Sequence, residues 1–148
     1  EVHGPERIPL SDLSSADALK RSLLAAKSVA YSSGASGTYI VTMLKKLGVY
    51  DQVSSKASVT KANEPVGERV ARGEAEIGFH QLSELIPVKD IDIIGPLPPE
   101  IQKITVFSGA VHSAAKEPDA AAALARFLTS PASADIIKRH GLEPASSN

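Results

Sequence analysis

The sequence contains no cysteine and no tryptophan, one methionine, and only three tyrosines and three phenylalanines. Without thiols there is no thiol nucleophile, no thiolate-held metal and no disulfide. So few rings offer little for bases to stack on, and 16 lysines and arginines against 17 aspartates and glutamates leave no basic footprint. A nucleic-acid partner is therefore not expected. No apolar run approaches the roughly 20 residues that cross a bilayer. The chain opens Glu1-Val2-His3-Gly4-Pro5 without a basic and apolar leader, which decides nothing about export, because a mature exported protein has already lost its leader. No histidines and carboxylates stand at a metal-binding spacing such as His-Glu-x-x-His, so neither a metal nor a cofactor is expected.

What is present is enough apolar material, 43% of 148 residues, to bury the core of one domain without disulfides or metals. The most informative stretch is Tyr31-Ser32-Ser33-Gly34-Ala35-Ser36-Gly37-Thr38. It joins a short β-branched run to an amphipathic pattern through small, hydroxyl-bearing residues. The first turn of a helix has N–H groups without intrahelical acceptors and about half a positive charge from the aligned peptide dipoles. Glycines 34 and 37 let a ligand approach the backbone, so Ser33, Ser36, Gly37 and Thr38 are candidate anion ligands. The same residue types also make ordinary caps and turns, and both readings stand at this point.

Elsewhere the pattern alternates between strands and helices. Ser14-Ser15-Ala16-Asp17 caps a helix that carries Leu19, Leu23 and Leu24 and runs to about Lys27. Strands are predicted at residues 28–31, 57–60, 76–80, 91–94 and 104–111. Tyr39, Ile40, Met43, Leu44 and Leu47 form one helical stripe ending at Gly48, and Pro65 takes the first position of a helix that stops at Gly73. Asn63-Glu64-Pro65-Val66-Gly67 is a second loop-to-helix junction, most simply a turn. After residue 111 the chain becomes helical, with Pro118 leading a stretch bearing Leu124, Phe127 and Leu128, and Ser130-Pro131 capping a last helix that carries Ile136 and Ile137. This alternation predicts an α/β fold: a three-layer lobe with a mixed sheet flanked by helices.

The ordered set of Leu44-Lys45-Lys46-Leu47-Gly48, Val70-Ala71-Arg72-Gly73-Glu74-Ala75-Glu76-Ile77-Gly78, Gln81-Leu82-Ser83-Glu84-Leu85 and Gly95-Pro96-Leu97-Pro98, closing with Gly141-Leu142-Glu143-Pro144, resembles the molybdate-type periplasmic substrate-binding proteins of ABC importers. The resemblance spans roughly residues 13–142. It implies a two-lobed type II binding protein with its ligand between the lobes at helix N-termini. It also implies a division into an extension at 1–12, the second lobe at 13–102, and a returning strand with C-terminal helices at 103–148 that normally complete the first lobe. An N-terminal half-lobe of about a hundred residues has no counterpart here. Gln81 stands where molybdate binders carry a tyrosine, so the implied ligand is a small oxyanion or carboxylate, molybdate-like in the broad sense. The implied partners are that solute and the importer's membrane subunits, in the periplasm or outside the cell.

Gln81 and Ser83 fall just past a strand end, where α/β sheets place ligand groups, so they join the candidate ligand set. The simpler alternative makes Ser83 the cap of a short turn, with Glu84 at its positive end. His80 and Glu84 could act as a proton-transfer pair, which opens a rival function: an isomerase of a small polycarboxylate such as aconitate on the same scaffold. A third possibility is a truncated interaction module without transport. Apolar strand and helix faces at 104–111, 124–128 and 136–137, left without their half-lobe, predict a homodimer through the C-terminal part.

Overall fold

The computed structural model describes residues 13–61 and 64–144. The expected N-terminal extension, Asn63 of the loop-to-helix junction and the tail at 145–148 lie outside them. The chain divides into two compact units after Lys103.

In the first unit the order is α1 (Ala16–Ala25), β1 (Val29–Ser32), α2 (Ala35–Lys46), α3 (Tyr50–Ser54), β2 (Ala57–Thr60), α4 (Val66–Ala71), β3 (Ile77–Phe79) and α5 (Leu82–Leu85), followed by a 3-10 turn at Pro99–Ile101. Ser15 starts α1 by accepting the Ala18 N–H on its side chain, as the cap signature predicts. α2 ends where its last-turn lysines, Lys45 and Lys46, meet the negative helix end. Gly48 then turns the chain with φ +68°, a conformation glycine adopts at little cost. The short α3 carries no sequence signal of its own. Its Val53 is buried, so packing forms it.

The strands make a three-stranded parallel sheet in the order β2-β1-β3. Val29 pairs with Ala57 and Ile77, and Tyr31 with Val59 and Phe79. Every residue of β1 is buried because both of its faces are covered. Val29 and Tyr31 point into a core with Leu19 and Leu23 of α1, Ile40, Met43 and Leu44 of α2, and Val53 of α3. Ala30 points the other way, against Val66 of α4 and Ala75. The result is the expected three-layer α/β lobe, helices on both faces of the sheet.

Four expectations need correction. No antiparallel strand joins the sheet among the described residues, so it is parallel rather than mixed. Residues 91–94 form no strand: Asp90 turns the chain at φ +61°, and Ile93 and Ile94 are exposed. Residues 104–111, the longest β-branched run, likewise pair with nothing described, and Ile104 and Val106 are 76% and 81% exposed. β-propensity measures fit to a pleated neighbour, and these segments have none. Pro65 caps α4 from outside instead of opening it.

The second unit contains α6 (Pro118–Leu128), a 3-10 turn at Pro131–Ser133 and α7 (Ala134–Arg139). Pro118 leads α6 as its position predicts, whereas Ser130-Pro131 opens the 3-10 turn and not the last helix itself. Buried Ser133 donates its hydroxyl to the Phe127 carbonyl, tying the turn to the end of α6. Leu124, Phe127, Leu128 and Ile136 are exposed. No helix among the described residues is long and apolar enough to cross a membrane.

The tightest backbone approach in the first unit is at Gly37, where an added Cβ would lie 1.5 Å from the Ser32 carbonyl oxygen. Backbone cannot swing away as a side chain can. Gly37→Ala should therefore cost about 2 kcal/mol or more in urea unfolding. Gly109→Ala, where an added Cβ meets nothing within 4 Å, should stay within about 0.5 kcal/mol of wild type. Equal effects of the two changes would show that α2 does not sit against the end of β1.

Candidate functional site

A parallel sheet sends all its strand C-termini to one edge, and the loops that leave that edge can converge on a ligand. In the order β2-β1-β3 the chain steps from β1 to one side and later returns to the other. The crevice at such a reversal is where open α/β sheets bind ligands. Here it is flanked by the Ser33–Gly34 loop after β1 and the His80–Gln81 loop after β3.

The first loop is held from below. Ser32 is buried at the end of β1; its Oγ accepts the Gly34 N–H at 3.3 Å and lies 3.1 Å from Ser36 Oγ. The Ser33 N–H donates to the Thr60 carbonyl at 2.8 Å, which leaves the Ser33 side chain exposed at the edge. α2 starts at Ala35 behind an extended Gly34, with no acidic residue in its first turn to oppose an anion. Neither lysine nor arginine occurs from 32 to 38, so any anion here would be met by N–H groups, hydroxyls and the helix dipole.

The proposed ligand residues differ in what they have free to offer. Ser33 is exposed, and Ser36 is half-buried beside Ser32. Thr38 is exposed, but its Oγ1 donates to the Gly34 carbonyl at 3.2 Å, so its hydroxyl serves its own helix. Gly37 is buried against Ser32, and its lack of a side chain serves the packing of α2 on β1.

On the other side of the crevice His80 follows β3 directly and is half-buried. Its Nδ1 is buried and makes no hydrogen bond among the described residues. Burial pushes the imidazole below the ordinary histidine value of 6.5, while the Glu84 charge pulls it partly back up. The ring is thus neutral near pH 7, with a lone pair or an N–H to offer. Gln81, not Ser83, caps α5: its carbonyl accepts the N–H groups of Glu84 at 3.0 Å and Leu85 at 3.3 Å, and its side chain makes no cap bond. Ser83 is half-buried inside the short helix. Glu84 is exposed and lines a shallow depression of about 370 Å³ between α4 and α5, shared with Glu68, Arg72 and Lys89. That depression includes neither the Ser33–Thr38 loop nor Gln81, so its size does not make it the site.

Residue-type reasoning overlooks Thr60, which anchors the Ser33 N–H, and Arg69, which braces the turn beyond Thr60. The only sequence signal for Thr60 is its place as the last residue of β2, in register with Ser32. No group of three or more histidines and carboxylates able to hold a metal ion occurs among the described residues.

His80 supplies a pH test. Because the folded imidazole resists protonation, the unfolded chain takes up the proton more readily once the pH falls below about 6.5. Wild-type stability should therefore fall as pH drops from 7.5 towards 5, and the ring C–H resonances should titrate below 6.5. His80→Gln should flatten that part of the urea-stability profile. A ring that titrates above 6.5 would contradict the burial.

Comparison with known proteins extends the picture. A family model described as bacterial extracellular solute-binding protein matches residues 4–143. The chain is 46% identical over 137 residues to an aconitate isomerase from Pseudomonas sp., an alignment covering 92% of this chain and 52% of that protein. The chain thus spans about half the length of this curated relative. No solved structure matches it. With the matched span running through both compact units and both loops at the sheet edge, the chain belongs to the bacterial extracellular solute-binding proteins.

Proposed function

We propose that this chain supplies a ligand-binding lobe that recognises a small polycarboxylate of the aconitate type and moves its double bond by proton transfer. The observation that carries the reading is the 46% identity to an aconitate isomerase across nearly the whole chain. The neutral His80 at the sheet edge, whose Nδ1 makes no hydrogen bond among the described residues, agrees with it. Such an isomerisation is a 1,3-proton shift. A base takes a proton from the methylene carbon, and the released electron pair forms the new double bond. The former double-bond electrons move to the far carbon, which takes up a proton, so atoms and charge balance. His80 is the proton carrier in this scheme. Backbone N–H groups at the start of α2, with Ser33 and Ser36, hold a carboxylate and meet the charge that develops on it. Gln81 and Ser83 hold a second carboxylate, and the Glu84 charge raises the basicity of His80.

A second reading keeps the family's binding role alone: delivery of a small oxyanion or carboxylate, molybdate-like in size, to ABC importer membrane subunits. The absence of lysine and arginine from residues 32–38 favours it, because uncharged donors suit rapid release. In both readings the protein works in the periplasm or outside the cell. Residues 13–102 act as one lobe, and 103–148 belong to the other. The exposed Leu124, Phe127, Leu128 and Ile136 offer the face through which a second copy would dock.

The test is incubation of the full chain as encoded with trans-aconitate, followed by NMR, beside a titration for affinity. Turnover is expected. His80→Gln should lower it by at least about 100-fold with affinity nearly kept. Ser36→Ala should weaken binding by about 1.5–3 kcal/mol, roughly 10- to 150-fold. Tight binding without turnover would favour the carrier, and absence of binding would overturn the isomerase reading.

A further inference from the structure

The turn beyond β2 is braced by one side chain. Arg69 of α4 places Nε at 3.0 Å and Nη2 at 2.7 Å from the same Glu64 carboxylate oxygen, and Nη1 at 2.9 Å from Ser58 Oγ of β2. A second carboxylate, Glu74 Oε2, lies 3.8 Å from Nη1. This is no loose surface pair: the Arg69 and Glu64 side chains are only 27% and 34% exposed. The Arg69 hydrogen bond holds the Glu64 carboxyl below the usual carboxylate range, so the brace keeps its charge through the neutral range.

Glu64 passes that restraint on through its own backbone. Its N–H donates to the Lys61 carbonyl at 3.0 Å, and its other carboxylate oxygen accepts the Lys61 N–H at 3.4 Å. Its carbonyl accepts the hydroxyl of buried Thr60 at 3.2 Å. The Thr60 carbonyl in turn accepts the Ser33 N–H at 2.8 Å. A guanidinium fork thus reaches, through Glu64 and Thr60, the peptide that opens the loop between β1 and α2. A group that must meet ligand atoms within about half an ångström needs such support, because a loop held at one end alone samples many geometries.

We infer that Arg69 is a positioning residue for the ligand loop, holding Ser33 and Gly34 in place through Glu64 and Thr60 without touching ligand. Its effect on binding rests on the polycarboxylate reading above; its effect on the loop does not. The planar fork bonds two groups at once, which a lysine ammonium cannot reproduce with the same geometry.

The test uses the full chain and the variants R69A and R69K, with two readouts. Amide hydrogen exchange at Ser33 should quicken by about tenfold or more in both variants, while protection at Ile40 and Leu44 in α2 stays within about twofold. Affinity for trans-aconitate should fall by about tenfold in both, with kcat of bound substrate reduced less than binding. Unchanged Ser33 exchange in both variants would overturn the inference, as would full affinity in R69K, which would mean that charge alone acts on the anion. Lost protection at Ile40 and Leu44 in both variants would assign Arg69 to the fold as a whole and overturn it as well. Should wild type bind no aconitate, the polycarboxylate reading fails, and exchange at Ser33 still decides the role of Arg69.

Discussion

The structure of the sheet edge depends on the contact between Gly37 and the Ser32 carbonyl. Any side chain at 37 would drive α2 away from β1, since the nearest atom is backbone 1.5 Å from where Cβ would stand. With glycine there, the helix begins after only two intervening residues, Ser33 and Gly34, and its first-turn N–H groups lie at the C-terminal edge of the sheet. Ile40, Met43 and Leu44 then meet Val29 and Tyr31 in the core. One contact thus links packing to chemistry. Removing it would cost both the burial of α2 and the direction of its dipole.

The two sides of the crevice bring complementary chemistry, and neither lysine nor arginine occurs at residues 32–38 or 80–85. On the α2 side there are hydroxyls and peptide N–H groups, which stabilise negative charge by geometry and dipole. On the β3 side there is an imidazole that burial keeps neutral, with Glu84 opposing that shift. A charged histidine would bind anions more strongly but could not take a proton. The arginines of the neighbourhood are instead occupied with carboxylates, Arg69 with Glu64 and Arg72 with Glu74 and Glu68.

Local signals in the sequence accounted for elements whose stability is local or whose burial is periodic. The Ser15 cap, the Leu19 and Leu23 stripe, the strand at β1 and the stripe of α2 ending at Gly48 all formed as their patterns imply. Residues 91–94 and 104–111 did not become strands although their β-branched content is as high as that of β1. A strand is defined by a partner, and the partner is not written in the segment itself. The candidate site divided along the same line. Ser33, His80 and Gln81 stand out as residue types just past strand ends and Ser36 as one at a helix start, whereas the inward role of Gly37, the Thr38 bond to its own helix and the cap at Gln81 depend on exact backbone placement. Thr60 and Arg69 act through register and a long side chain, which no spacing rule reads.

Ligand is expected to meet this chain where the loops after β1 and β3 flank the crevice at the sheet edge. Backbone amide shift mapping of the full chain during titration with trans-aconitate tests it most directly. Saturable shifts are expected, concentrated at Ser33, Gly34, Ser36, Gly37, His80 and Gln81. Shifts gathered instead around Glu68, Arg72 and Lys89, in the depression between α4 and α5, would contradict it.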